Sequence, residues 1–525
     1  MVSPVIFVVL LGTWFSSAQA QTVGVAVPLS PPSSAATLNP SLLSLSIEQD
    51  RWPEWVGTTS SSRFLLNTLD NLKLRTGHPP SIRIGADSED HTDFDPSVQF
   101  SETVFPAITT AKPYPEASNI VVGDGFYNIV RHLPSGTHVI SGINFRDNNL
   151  TAAFLQAQSI HKAFSASGVQ VVLDFIEIGN EADLYGSTRA RTGTWNVAEY
   201  TKEWTAFAQN VSAVAGISST SSTKFIGGGF FGSGHSSTSF SPQGLFASGI
   251  LNSAQGKLIT SISQHHYSGS FCSGADGLLQ TMMTKSTIRS NLNPFVSDIT
   301  ATRAKGLDYV LGETNSFACH GAPGASNTAG AAIWTLDYML FAGQIGVSKV
   351  YFHQGIGYRY NMIQPATLPR SIIDGTTLAT SLHPHVQPAY YAAIIATEAI
   401  GTSGSTKVVE LNINDARVSG YAFFEQTTLK RAVLINSEAF TSSSSGPRSS
   451  KNIQLSFTGS GTAPRTMTVK RLAINFADDD HGLTWGGQSF ETVDGTISGT
   501  LSVQTMNVGS PVTLQATEVI LLSFN

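Results

Sequence analysis

The stretch "VVLDFIEIGNE", Val171 to Glu181, combines an apolar run with a polar pair at its end. A run this rich in Val, Ile, Leu and Phe is typical of a strand that is buried on both faces. Asn180 and Glu181 follow where that strand should end, so we expect both to face a cavity. Glu177 lies about 13 Å deeper at roughly 3.3 Å per residue, and we interpret it as a structural carboxylate.

Seven further short apolar runs place this strand in a repeating pattern. Between the runs lie stretches with apolar residues at helical spacing and Gly near their ends. Alternating strands and helices indicate parallel pairing, and eight units predict an α/β fold, a closed (β/α)₈ TIM barrel over residues 41–400, with an open doubly wound sheet as the alternative. The predicted strands are Leu42–Glu48, Ser81–Gly85, His138–Asn144, Val171–Gly179, Lys224–Gly229, Thr260–Tyr267, Asp308–Glu313 and Lys349–Gln354.

The pattern changes after residue 400. Short strand-like runs separated by Gly, Ser, Asn, Asp and Pro predict a C-terminal antiparallel β-sandwich domain over residues 401–525. The segment "TVGVAVPLS", Thr22 to Ser30, is also strand-like and is then broken by prolines. We therefore expect residues 21–40 to contribute a strand to this sandwich before the barrel begins.

Residues 1–20 have the features of a secretory signal peptide. An apolar run from Val5 to Leu11 is followed by small residues, with Ala18 and Ala20 at the positions that a signal peptidase reads. No later segment has eighteen uninterrupted apolar residues, so nothing else in the sequence predicts a membrane anchor. We expect a secreted, extracellular protein.

Charge and cysteine content exclude several classes of protein. The net charge of −6 is spread along 525 residues, and no block of Lys and Arg indicates a nucleic-acid partner. The two cysteines lack the spacing of a zinc site. Asn149 and Asn210 begin glycosylation sequons, as expected for an exported chain. We expect a monomer.

Two glutamates are predicted to meet at one end of the barrel. Glu181 follows the fourth predicted strand and Glu313 ends the seventh, and the active sites of such barrels lie at the C-terminal ends of the strands. Paired carboxylates suit glycoside hydrolysis, because one donates a proton to the leaving oxygen while the other attacks or stabilises the anomeric carbon. This chemistry needs no metal and no organic cofactor.

The motifs "IEIGNE", "VLGETNS", "RIGADSED" and "QHHY", in their order along the chain, resemble those of glycoside hydrolase family 79. That family includes fungal β-glucuronidases and heparanases, and it combines the barrel with a C-terminal sandwich. The resemblance implies a retaining β-glucuronidase acting on glycans that contain glucuronic acid. It makes Glu181 the acid/base and Glu313 the nucleophile, with Asn180 bonding the sugar 2-hydroxyl and Arg83 keeping Glu313 ionised.

The resemblance also suggests where the sugar is held. Glu48 and Asp87 resemble positions that bind the 4- and 3-hydroxyls. A uronic acid carboxylate needs donors, and family members take these from the loop after strand seven and from tyrosines after strand eight. The remaining candidates are the Gly321 N–H, Tyr358 or Tyr360 for the carboxylate, Tyr267 as a donor to the nucleophile, and His266 and Gln354 as supporting residues.

Cys272 and Cys319 follow strands six and seven, which are neighbours in a parallel barrel. Both cysteines should then lie in adjacent loops on the catalytic face, within reach of a disulfide. Two alternatives stay open: a retaining β-glycosidase of another sugar specificity, and a non-catalytic carbohydrate-binding protein. The sequence does not determine the natural polymer, exo or endo cleavage, or the tolerance of 4-O-methyl groups.

Overall fold

The computed structural model describes residues 21–232, 234–274 and 277–525 and contains a closed barrel of eight parallel strands. The predicted fold class is therefore confirmed, and the open-sheet alternative is wrong because strand eight pairs with strand one. The predicted signal peptide lies outside the described residues. In order, barrel strands one to eight are Leu43–Glu48, Ile82–Gly85, His138–Ile143, Val172–Ile178, Lys224–Phe230, Ile259–Ser270, Asp308–Ala318 and Lys349–Gln354.

Helices follow the barrel strands and cover the outside of the barrel. The helix after strand one shows why these segments begin and end where they do: Ser62 accepts a hydrogen bond from the Leu65 N–H, and Gly77 closes the helix in the left-handed conformation. In the described part of the chain, no helix has the length and apolar character of a membrane span. The helices are Trp52–Val56, Arg63–Thr76, Asp124–Asn128, Leu150–Phe164, Val197–Ala215, Pro242–Ala247, Leu279–Met283, Lys285–Leu292, Val296–Arg303, Ala329–Ile345 and Ala389–Ile400.

Small β-structures are inserted on the catalytic face. After strand two, a three-stranded sheet contains Thr92–Phe94, Asn119–Val122 and Ser101–Val104. Strands six and seven continue beyond their predicted ends and stay paired as far as Ser270 and Ala318. Two short antiparallel pairs follow strand eight: Ile363–Gln364 with His385–Val386, and Leu368–Arg370 with Thr377–Leu382.

The C-terminal domain has two sheets around its own core. The larger sheet contains Ala36–Thr37, Lys407–Glu410, Val418–Glu425, Thr428–Asn436, Glu518–Phe524, Thr466–Ala473, Thr484–Trp485 and Gln504–Asn507. The smaller sheet contains Gln21–Pro28, Ser450–Thr458 and Val512–Gln515. Pairing is antiparallel except that Gln21–Pro28 runs parallel to Ser450–Thr458. The first described strand therefore belongs to the domain that the end of the chain completes.

Deleting Val23–Leu29 should make the protein insoluble. Val23, Val25 and Val27 are buried in the sandwich core, and their burial is worth about 4.5–9 kcal/mol together at about 1.5–3 kcal/mol each. Their loss would also expose the edge of Ser450–Thr458. The soluble fraction after expression measures this, with the exposed Thr22→Ala as the control. A soluble deletion variant with full activity would contradict the prediction.

The two predicted glycosylation sites lie on helices. Asn149 is exposed and caps Leu150–Phe164, where its side chain accepts hydrogen bonds from the Thr151 and Ala152 N–H groups. Asn210 lies inside Val197–Ala215 and is half-buried. Glycosylation at either position stays a prediction.

Candidate active site

Glu181 and Glu313 converge at the C-terminal mouth of the barrel. Oxygens of the two carboxyl groups lie within 4.8 Å of each other, close to the spacing of about 5–5.5 Å between the carboxyls of retaining glycosidases. Glu181 has a left-handed backbone, with φ 47° and ψ 45°, and its N–H donates to the Gly229 oxygen at 2.8 Å. Such a conformation is unfavourable for a residue with a Cβ, so the fold holds this side chain in place by its surroundings.

Arg83, on strand two, connects the buried carboxylates under the mouth. Its Nη1 donates to Glu313 Oε2 at 2.8 Å, its Nε donates to Glu177, and its Nη2 donates to Asn180 Oδ1 at 2.8 Å. Glu89 Oε2 lies 3.6 Å from Nη2. Burial acts to lower the pKa of Arg83, but the carboxylates around it raise that pKa above its usual value, so the guanidinium stays charged. The Asn180 oxygen is thereby occupied, and its amide N–H groups remain for a ligand.

Glu313 is held as an anion. The Tyr267 hydroxyl donates to its Oε1 at 2.7 Å, while Arg83 binds Oε2. Burial alone would raise the pKa of Glu313, but His353, Arg83 and the Tyr267 hydrogen bond outweigh it and lower this pKa to about 2. Above that pH, Glu313 is therefore ionised and can act as a nucleophile.

Glu181 has the opposite environment. Burial, followed by the negative charge of Glu313, raises its pKa well above the usual value, which favours its protonated form. His265 Nδ1 lies 3.1 Å from its Oε1. Because burial lowers the pKa of His265 to about 4, this imidazole is neutral above that pH. Two carboxyls with pKa values pushed apart are the arrangement of an acid/base paired with a nucleophile.

Glu48 and Asp87 border the same mouth. Glu48 is buried, with Oε1 accepting from the Ser88 N–H at 2.8 Å and Oε2 lying 3.3 Å from His353 Nε2. The side chain of Asp87 is 61% exposed, with His91 Nε2 at 3.6 Å. One carboxylate is thus fixed in place, whereas the other remains open to a ligand.

The two candidate tyrosines after strand eight are both buried but have different neighbours. The Tyr360 ring lies 6.2 Å from the Tyr267 ring, beside the residue that bonds Glu313. The Tyr358 ring stacks on His320 with 3.8 Å between ring centres. Tyr360 is therefore on the nucleophile side and Tyr358 is next to the loop that follows strand seven.

Two residues predicted from the sequence, Gly321 and His266, do not have the expected position, whereas Gln354 has a supporting role. The Gly321 N–H donates to the Phe317 oxygen at 3.1 Å, so it is not available to a ligand. The His266 ring packs against Tyr338 and Phe295 in the barrel wall, away from the two glutamates. Gln354 accepts from the Met362 N–H at 2.7 Å and supports the following loop.

Two histidines that were not predicted as site residues, His265 and His353, lie beside the glutamates. They directly precede the predicted supporting residues His266 and Gln354, and neighbouring residues of a strand point to opposite faces. His353 lies between Glu48 and Glu313, at 3.3 and 3.9 Å. Although burial acts to lower the pKa of His353, these carboxylates raise it. The alternation along "KVYFHQ" was the available signal for His353.

A disulfide joins Cys272 and Cys319, as predicted, with a Cα separation of 5.1 Å. Cys319 and the following His320 both have left-handed backbones, at φ 60° and 69°. His320 Nε2 lies 2.5 Å from Glu116 Oε1, and its oxygen accepts from the Arg359 N–H at 2.9 Å. The disulfide and these contacts fix the loop beside the mouth.

Among the described residues, one cluster has the spacing of metal ligands: Glu181, His265 and Glu313, whose nearest ligand atoms lie within 4.8 Å of one another. Carboxylate and imidazole groups are ligands for zinc. Retaining hydrolysis uses the two carboxyls themselves as reacting groups. The geometry described above is therefore explained by the pair of glutamates alone.

Comparisons with known proteins agree with this geometry. The family model of the glycosyl hydrolase family 79 C-terminal beta domain matches residues 420–521. A β-glucuronidase of Aspergillus niger is 28% identical over 491 residues, covering 89% of this chain and 86% of the relative. A β-glucuronidase of Neurospora crassa is 28% identical over 490 residues, covering 85% and 84%.

Solved structures show the same architecture. A 4-O-α-L-rhamnosyl-β-D-glucuronidase from Fusarium oxysporum has a TM-score of 0.75 and 26% identity, covering 95% of this chain and all of that one. A family 51 arabinofuranosidase from Xanthomonas axonopodis, at 13% identity and a TM-score of 0.60, shares the fold. The domain match, the relatives that span both domains and the pair of glutamates all support one assignment, glycoside hydrolase family 79.

Proposed function

We propose that this enzyme is a retaining β-glucuronidase that removes terminal β-linked glucuronic acid from glycans. The observation that carries the proposal is the pair of opposed carboxyls, with Glu181 protonated and Glu313 anionic at one barrel mouth. The relatives described as β-glucuronidases support the choice of sugar.

The first step forms a covalent intermediate. Glu313 attacks the anomeric carbon, the bond from that carbon to the glycosidic oxygen breaks, and Glu181 gives its proton to the departing oxygen. Tyr267 and Arg83, which bond the two Glu313 oxygens, orient the attacking carboxylate. The products of this step are the leaving group, released as a free hydroxyl compound, and an α-glucuronyl ester on Glu313.

The second step releases glucuronic acid. Glu181, now ionised, removes a proton from a water molecule, which attacks the anomeric carbon and breaks the ester to Glu313. The sugar then has the β-configuration again, and both carboxyls return to their initial states. His265, at 3.1 Å from Glu181, is neutral and adds no charge beside Glu181 in either of its two protonation states.

The sugar is held by groups around these two glutamates. The Asn180 amide donates to the 2-hydroxyl, Asp87 accepts from the 3-hydroxyl, and Glu48 accepts from the 4-hydroxyl. For the substrate carboxylate we propose hydroxyl groups of Tyr358 and Tyr360 together with backbone N–H groups of the loop at His320, in place of the occupied Gly321 N–H. Selectivity for a uronic acid over glucose then depends on this carboxylate site.

A panel of chromogenic aryl glycosides tests the proposal. The β-glucuronide should be hydrolysed with at least about a hundredfold higher kcat/KM than the β-glucoside, since the glucoside leaves buried donors without a partner. A preference for another sugar would replace the proposal by a different specificity on the same fold. A protein that binds glucuronides but turns none over would instead be a carbohydrate-binding protein.

We also propose that the protein acts as a monomer outside the cell. The Cys272–Cys319 disulfide supports this location, because such bonds persist in oxidising compartments. Protein recovered from the medium should have Gln21 as its first residue. Size-exclusion chromatography with light scattering gives the mass in solution.

Reduction of the Cys272–Cys319 disulfide should weaken substrate binding more than it disturbs the fold. The loop that it closes spans 47 residues, and the chain-entropy estimate for its loss is roughly 4 kcal/mol. His320, next to Cys319, would then lose one of the constraints on its left-handed backbone. We expect the KM for an aryl glucuronide to rise several-fold in the double variant Cys272→Ser/Cys319→Ser, with kcat within about twofold.

Far-ultraviolet circular dichroism serves as the control for folding of this double variant. Its spectrum should match that of the wild type at the assay temperature. An unchanged KM would show that the loop keeps its conformation without the disulfide and would contradict the prediction.

A further inference from the structure

We propose that Phe231 forms the platform for the leaving group, the sugar ring that lies next to the scissile bond on the side of the acid/base. This inference rests on the proposed function, because it uses Glu181 as the proton donor. Phe231 is 38% exposed, and it is the only aromatic residue among the exposed large apolar side chains of the described chain. It directly follows barrel strand five.

Two backbone contacts tie Phe231 to the acid/base. The Gly229 oxygen accepts the Glu181 N–H at 2.8 Å. Two residues further on, the Phe231 N–H donates to Asp183 Oδ1 at 3.0 Å. The segment that carries Phe231 is therefore bonded to Glu181 itself and to Asp183, two positions after it.

Gly232 allows the same segment to pack closely against His265, the residue whose side chain faces the acid/base Glu181. Gly232 has φ 86°, and a Cβ at this position would lie 2.2 Å from the His265 oxygen. His265 is the residue whose Nδ1 faces Glu181. Phe231 is thus held between strands four and six at the rim of the mouth, on the flank of Glu181.

The direction of the Phe231 side chain follows from that of its neighbour Phe230. A register shift between Gly228 and Phe230 interrupts strand five, and the Phe230 ring packs outward against Tyr200 at 5.0 Å. Because successive residues of an extended chain point to opposite sides, Phe231 then faces the mouth. Its neighbour Phe230 is fully buried, whereas Phe231 keeps a face free.

The direction of proton transfer indicates which part of the substrate lies beside Phe231. Glu181 gives its proton to the glycosidic oxygen, so the group bonded to that oxygen must lie on the Glu181 side of the site. A sugar ring offers an apolar face of C–H groups, and aromatic side chains line sites for such ligands. The ligand class is therefore a pyranose ring, or an aryl ring, attached through the bond that is cleaved.

The test compares two substrates that share the glucuronic acid and differ in the leaving group. One is methyl β-glucuronide and the other is a disaccharide with glucuronic acid β-linked to a second sugar. In Phe231→Ala, the ratio of kcat/KM for the disaccharide to that for the methyl glucuronide should fall about tenfold, as expected when about 50 Å² of apolar surface is no longer covered. Phe231→Trp should keep the ratio near that of the wild type.

Leu74→Ala is the matched control, because Leu74 is 73% exposed on the helix Arg63–Thr76, outside the barrel. A second readout uses the covalent intermediate, which is the same for all substrates. With excess sugar as acceptor, transfer relative to hydrolysis should fall in Phe231→Ala, whereas transfer to methanol should follow the wild type. Both results would support the platform.

The inference would be overturned if the ratio of kcat/KM values in Phe231→Ala stays within twofold of the wild type. This holds whether both values are unchanged or both fall equally, which would indicate general damage to the site. Failure of the proposed function looks different: the wild type would then hydrolyse neither glucuronide, and the same pair of leaving groups on the preferred sugar would test Phe231.

Discussion

Replacing Glu313 with alanine should lower kcat on every glucuronide by about 10⁴-fold or more, the size of effect seen when a nucleophile is removed. The carboxylate lies beside the acid/base, receives hydrogen bonds from Tyr267 and Arg83, and has a pKa lowered to about 2. Alanine has no carboxylate and cannot form the ester. Steady-state assays with aryl glucuronides of different leaving groups should show equal losses.

Glu181→Ala should behave differently. Loss of a general acid costs about 10²–10⁴-fold for a poor leaving group, but a good leaving group departs without a proton. The first step then remains fast and the intermediate accumulates, because no base activates water. Added azide should restore turnover and give the β-glucuronyl azide, the product of attack on an α-linked ester.

The configuration of the azide product decides the mechanism. An α-configured azide, or full activity in both alanine variants, would refute the retaining assignment. The pH profile gives a second check: wild-type kcat/KM should fall as pH rises through the raised pKa of Glu181, because the proton donor is then lost. Glu181→Ala should lack this alkaline limb for a good leaving group.

Arg83→Met should destabilise the protein by about 3–5 kcal/mol at pH 7, the range for removing one partner of a buried ion pair. Arg83 is fully buried and donates to Glu177, Glu313 and Asn180. Methionine fills a similar volume but leaves these acceptors without their donor. Urea unfolding followed by tryptophan fluorescence measures the loss.

The loss should depend on pH in a defined direction. In the wild type the pKa of Glu313 is lowered to about 2, so its contribution to stability is full above its ordinary value of 4.5 and is lost as pH falls towards 2. In Arg83→Met the buried Glu313 loses the positive charge that favours its anion, so its pKa rises. The difference between the two proteins should therefore be largest near pH 7 and shrink below pH 4.

Arg83→Lys separates charge from geometry. Lysine keeps the positive charge but cannot direct donors to all of these acceptors at once. An intermediate loss of stability with a large loss of activity is expected. If the free energy of unfolding of Arg83→Met lies within about 1 kcal/mol of the wild-type value, the carboxylates find other partners and the role assigned to Arg83 is wrong.

The barrel was predictable because its strands carry the signal. Runs such as Val171–Gly179 are apolar on both faces, and their spacing with helix-like stretches leaves few arrangements. Glu181 and Glu313 were predictable for the same reason, since each ends a recognisable run. The three-stranded sheet after strand two was missed, because Thr92–Phe94 and Ser101–Val104 are short and each contains a single apolar residue.

The direction of single side chains near the strand ends was harder to predict. His265 and Tyr267 face the two glutamates, whereas His266 between them packs against Phe295 and Tyr338. Alternation continues through this part of strand six, because the extra residue at the register shift, Gly312, lies in strand seven. Which of two adjacent histidines faces inward depends on contacts with neighbouring strands, which the local sequence does not show. The Gly321 N–H was wrongly assigned to the substrate, because it donates to the Phe317 oxygen inside its own loop.

The parallel pairing of Gln21–Pro28 with Ser450–Thr458 sets an order of events during synthesis. Gln21 and Lys451 are 430 positions apart, so at about 5–20 residues per second the first strand leaves the ribosome roughly 20–90 s before its partner. The whole barrel is made within that interval and has all of its strands. Until Ser450–Thr458 arrives, Val23, Val25 and Val27 form an apolar strand with unpaired edges, which is the kind of segment that chaperones recognise. A nascent chain halted before residue 450 should therefore show a closed barrel, and its first residues should be open to protease.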